Sequence, residues 1–145
     1  MLTVLQQTLA EAHGLAIAAS ETVDRVAERI ADRELLARLD ELRLDAREVR
    51  ARCLEAESEE QLAHANTVAA KAADLANAWF KAGTGPREAW AFLAMGEAGE
   101  VATWTALCSL AAGDERLVEL AEWGLEVQRR HLELVLQSSG RILSA

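Results

Sequence analysis

Between Pro86 and His131, apolar residues recur every three or four positions, with one break at Gly113-Asp114. That step is the period of an α-helix, and a glycine followed by an acid is a common way to end one helix and start another. The stretch therefore predicts two long helices folded back on each other, over residues 86–112 and 115–137. Pro86 suits the first turn of the earlier one, where its missing N–H costs nothing. Each helix carries one apolar stripe, and two such stripes need a second helical layer to cover them.

The N-terminal half supplies that layer. A first helix is expected from about Leu2 to Ile30, with Leu5, Leu9, Ala12, Ala16, Ser20, Val23, Ala27 and Ile30 stepping by three and four. Asp32 is placed to cap a second helix over Arg33 to Glu57, with Leu35, Leu39, Leu42, Ala46, Val49 and Cys53 inward and a ladder of Arg, Asp and Glu outward. Ser58 and Gln61 form a capping-box pattern for a third helix, Glu59 to Lys81. Its inward positions are mostly alanine (65, 69, 72, 73 and 76), which lets helix axes approach closely. It reads as a crossing helix between two hairpins, or as part of a subunit contact. Strand signals are absent: there is no alternating run and no Asn-Gly turn. The expected fold is all-α, one domain of about five helices. Hairpins 1–57 and 86–137 flank a crossing helix over 59–82, and a flexible tail follows over 138–145.

At 145 residues and 51% apolar composition the chain can bury a core without disulfides. Its net charge of -9 disfavours a nucleic-acid partner, because the arginines from Arg25 to Arg52 are interleaved with acids. The longest run free of charge, Val101 to Gly113, is too short to span a membrane. MLTVLQQTLAEAH has no basic region before its apolar residues and is not read as a secretory signal, so a cytoplasmic location is expected. Cys53 and Cys108 fall on apolar faces and read as buried free thiols. Gly83-Thr84-Gly85-Pro86 lacks a phosphate-loop lysine, and Ser20 and Ser109 have no evident general base.

Four residues look like chemistry: Glu97, Glu100, Gln128 and His131. Glu97 lies between Leu93 and Val101 on an apolar face, where a carboxylate is costly unless paired or protonated. It is either a metal ligand or retained acid, or a core polar group satisfied by Arg129, Gln128 or His131. Gln128 and His131 are three residues apart and share one face. Glu100 is expected on the flank of the Glu97 face, in solvent. His13 and His64 read as helix-surface histidines, and the tryptophans at 79, 90, 104 and 123 as core.

The two hairpins match in phase. Asp32-Arg33-Glu34-Leu35 aligns with Asp114-Glu115-Arg116-Leu117, which sets Ala46 against Gln128, Val49 against His131 and Ala16 against Glu97. With Glu97-Ala-Gly-Glu100, Trp104, a short acidic turn and a last long helix, the chain resembles the ferritin-like superfamily, in particular the small bacterial DUF892 or YciF-like proteins. The resemblance is best from Pro86 to about Leu136. It implies an inward di-metal site built from one Glu on each of two helices and a Glu-x-x-His pair on each of the others. Glu97 and His131 match that pattern; Gln128, Ala16, Ala46 and Val49 stand where further ligands belong. A turn's shift would bring Asp45 or Glu48 inward.

Three functions follow as expectations. The first is a non-enzymatic bundle acting through association, as a homo-oligomer or with a protein partner. The second is a metalloprotein with a reduced site at Glu97, Glu100 and His131, holding a single iron, manganese or zinc where otherwise no cofactor is expected. The third is a small-molecule binding module with a cavity beneath Trp90 and Trp104, left by Ala16, Ala46 and Gly99.

Overall fold

A computed structural model describes residues 1–143 as five helices, with no strand among the described residues. They are α1 (Val4–Ala27), α2 (Arg33–Ala56), α3 (Glu59–Trp79), α4 (Pro86–Leu110) and α5 (Glu115–Leu143). The starts are fixed by local chemistry. Thr3 with Gln6, and Ser58 with Gln61, form reciprocal capping boxes. Asp32 accepts from the Glu34 and Leu35 amides. Pro86 occupies the first turn of α4. Between α4 and α5, Gly113 has φ +97, a value that a side chain would strain.

Helices α1, α2, α5 and α4 form a ring in which each neighbour is antiparallel. Asp24 pairs with Arg43 across α1 and α2, Asp45 with Arg130 across α2 and α5, and Trp90 donates to the Val135 carbonyl across α4 and α5. Since α2 and α4 run in the same direction, the chain must return along the bundle between them, and α3 makes that return. It packs chiefly on the outer side of α1, outside the ring. Gly14 permits the close approach: a Cβ there would lie 2.5 Å from the Ala65 carbonyl oxygen. Only Gln61, Ala65 and Ala76 of α3 are buried, so its alanine face is half-covered. The far end of α3 is pinned by Trp79, which donates to the Glu88 carbonyl at 3.0 Å and lies against Phe92.

All six expected inward residues of α2 are buried. Four expectations need correction. Residues 138–143 are not a tail but the last turns of α5, because Ser138 and Ile142 continue its buried stripe; residues 144–145 lie outside the described residues. Cys108 is half-buried rather than core, while Cys53 is fully enclosed. Trp79 is 39% exposed. His13 is not on the surface: it is 3% exposed and bonded through Nδ1 to Glu57, whose side chain has no exposed surface. No helix is long and apolar enough to cross a membrane among the described residues.

Candidate functional site

Two consecutive turns of α4 and two of α5 place Glu97, Glu100, Gln128 and His131 in one buried cluster, each 4% exposed or less. Glu100 is thus not solvated, contrary to the sequence expectation. It lies three residues from Glu97 on a helix that α1 and α5 both cover, so the buried sector is wide enough to take both acids. Carboxylates only accept, so the Gln128 amide turns its nitrogen to them and donates to Glu97 Oε2 at 3.0 Å and Glu100 Oε2 at 3.2 Å.

His131 joins the cluster to α2. Its Nδ1 is 3.7 Å from Glu97 Oε2, and its Nε2 is 2.7 Å from Asp45 Oδ2. Asp45 also accepts from Arg130 at 3.0 Å. Of the two acids that a turn's shift would bring inward, Asp45 reaches the cluster and Glu48 points out to Arg52. Burial opposes a charged imidazole, but the Glu97 and Asp45 carboxylates outweigh it and raise the His131 pKa. Burial likewise opposes ionisation of Asp45, yet His131 and Arg130 hold it below the ordinary carboxylate value. Glu100 has no such compensation. Burial, and then the charge of Glu97, push it well above the usual range, so it tends to keep its proton.

The acid end of this cluster is not sealed. A cavity of about 250 Å³ lies between α1, α3 and α4, walled by Leu15, Ala18, Ala19, Ala72 and Leu75 among others, and it closes on Glu97 and Glu100. Leu75 and Met95, 67% and 54% exposed, stand at its rim. The cavity exists because α3 rides on α1 and leaves the face of α4 at Gly96 and Gly99 open. It is not the space expected beneath Trp90 and Trp104: Ala16 and Ala46 are packed into the core, and Gly124 lies against the Trp104 ring.

The chain matches no family model, no curated protein sequence and no solved structure. The site must therefore be judged by its own donors. Glu97, Glu100 and His131 come from two adjacent helices only; α2 adds Asp45, which is held by His131 and Arg130, and the buried Ala16, Ala46 and Val49 of α1 and α2 carry no ligating group. Among the described residues no three His, Cys, Asp or Glu side chains are disposed to hold a metal ion. That donor set does not fit a di-metal centre, which needs four or more carboxylates to balance two divalent ions. It does fit a cation that brings no demand for a full coordination shell.

Proposed function

We propose that this protein is a ferritin-like bundle that binds, rather than transforms, a small molecule carrying a cationic nitrogen on an apolar body. The supporting observation is the cavity between α1, α3 and α4, with apolar walls and two buried carboxylates at its inner end. Two adjacent buried acids destabilise the empty protein unless one keeps a proton. An ammonium group replaces that proton with charge-assisted hydrogen bonds to both carboxylates, while the apolar body displaces water from the alanine and leucine walls. At about 30 Å³ per non-hydrogen atom, the volume suits a ligand of about eight such atoms.

The test is calorimetric titration with hexylammonium, hexanol and hexanoate. Hexylammonium is expected to bind about tenfold or more tighter than hexanol, with affinity rising from pH 5 to pH 8 as Glu100 gives up its proton more readily. In Glu100→Gln that charge preference is expected to vanish. Equal binding of all three compounds, or no binding, defeats the proposal. Ferrous iron, manganese and zinc belong in the same series. A thermal shift with one of them that needs His131, with none from the amine, would move the assignment to a single-metal site.

A second reading has its own support. Leu75 and Met95 at the rim are exposed apolar side chains on α3 and α4, and self-association over this face would cover them. Light scattering that gives a dimer for the wild type and a monomer for Leu75→Glu is the outcome that reading requires.

A further inference from the structure

Helix α3 divides the outer face of α1 into two grooves, and the one on its other side has the opposite chemistry. This second groove, about 370 Å³, lies between α2 and α3 over α1. Arg47 and Arg50 stand on its α2 wall, one helical turn apart, and Asn66 on its α3 wall. His13 and Ile17 form the floor, and Leu54 and Leu62 line one end. We infer that this groove binds an amphiphile with a single anionic headgroup, a carboxylate or a phosphate, held by Arg47, Arg50 and His13 with its apolar chain on Ile17, Leu54 and Leu62.

Two independent observations carry this. Arg47 and Arg50 have no acidic partner among the described residues, although the chain has 24 acids to 15 basic residues. On the same helix Arg38 pairs with Glu34, Arg43 with Asp24 and Asp40, and Arg52 with Glu48. In so acidic a protein, two unpaired guanidinium groups on one groove form a local positive field. The second observation is His13. Its side chain is 4% exposed and Nδ1 is committed to Glu57, which leaves Nε2 as the ring nitrogen free to face the groove that His13 lines. That nitrogen is on the groove side of a ring that is otherwise enclosed, so it is available to a bound group. Because Glu57 is bonded to Nδ1, it fixes the ring's orientation, and an imidazole with hydrogens on both nitrogens donates from Nε2 to an anion. Glu57 Oε2 is itself buried without a partner, so this carboxylate is committed to His13 alone.

The groove volume corresponds to about twelve non-hydrogen atoms, the size of decanoate or octyl phosphate. Titration of the full chain with decanoate, octyl phosphate, decanol and decyltrimethylammonium at low salt tests the assignment. One of the two anions is expected to bind at least about tenfold tighter than decanol, and the better of the two identifies the headgroup. The double variant Arg47→Ala/Arg50→Ala is expected to lose about tenfold or more in affinity for it, with an unchanged helical spectrum because both side chains are exposed. Arg87→Ala, on a different surface, is expected to bind as the wild type does. Equal affinity for decanol and the anions overturns the inference, as does a double variant that binds as well as the wild type. Glu100→Gln is expected to leave anion binding unchanged, so the two grooves can fail separately.

Discussion

Replacing Gly124 by alanine is expected to destabilise the protein by about 1–3 kcal/mol, although alanine is the better helix former by about 1 kcal/mol. The reason lies across the α4–α5 interface. A Cβ on Gly124 would fall 2.2 to 2.6 Å from three atoms of the Trp104 ring, far inside van der Waals contact. The ring is completely buried and packs with Leu9, Ala12 and Leu107 in the upper core, so it has nowhere to retreat. Chemical denaturation separates this account from a propensity effect. Gly96→Ala, in the middle of α4 where a Cβ meets open space, is expected to gain up to about 1 kcal/mol. Opposite signs for the same substitution are the diagnostic result. Shrinking the obstacle tests it further: Trp104→Leu is itself costly, by a few kcal/mol. Combined with Gly124→Ala it should cost less than the sum, since the two changes share one space. If Gly124→Ala proves neutral or stabilising, the two helices are not held at this separation by the indole.

Much of the bundle can be read from spacing because the spacing is what packs. Leu35, Leu39, Leu42, Ala46, Val49 and Cys53 recur by three and four, and all six are buried. The same rule, carried further, also gives the end of α5. Ala121, Gly124, Gln128, His131, Val135, Ser138 and Ile142 keep the step throughout, and all are buried. The serines and glycine at 138–140 suggest a helix end by composition, but the period outweighs them because Ile142 still finds the core of α1 and α2. The direction of Glu100 is harder to read. A helix with neighbours on two sides buries more than one stripe, and the sequence of α4 alone does not say how many neighbours it has. His13 was illegible for a different reason. Its partner Glu57 is 44 residues away, at the C-terminal cap of α2, and only the antiparallel packing of α1 on α2 brings them together. Asp45 illustrates a third limit. It sits one residue from the buried Ala46, at the edge of the stripe, and reaches His131 because its carboxylate leans inward from there. The two grooves are likewise products of where α3 rests on α1, which an alanine-rich stretch allows but does not specify.

The acid pair gives the second large effect, and its sign depends on pH. Glu100→Gln is expected to stabilise the protein at neutral pH by about 1–3 kcal/mol, or roughly 3–10 °C in melting temperature. In the unfolded chain Glu100 titrates near the ordinary value of 4.5, whereas burial and the neighbouring Glu97 charge raise it well above that when folded. Above pH 4.5 the folded protein therefore holds a proton that the unfolded chain releases. Each further pH unit costs the wild type about 1.4 kcal/mol of stability, until the pH reaches Glu100's own raised value. Glutamine has the shape of the protonated acid and no such proton to hold. The stability difference between variant and wild type should thus be near zero at pH 4.5, grow as pH rises, and level off where Glu100 finally ionises. Asp45 has the opposite slope: with its value lowered by His131 and Arg130, its contribution is present above the ordinary carboxylate value and lost as pH falls. Asp45 remains in Glu100→Gln, so subtracting the two pH profiles cancels it and isolates the acid pair. A flat difference from pH 5 to pH 8 would mean that Glu100 is ionised and satisfied in the folded state. A rising one means that the protein retains, beside an open apolar cavity, a carboxyl group whose replacement would stabilise it, which is what a site reserved for a cation should look like.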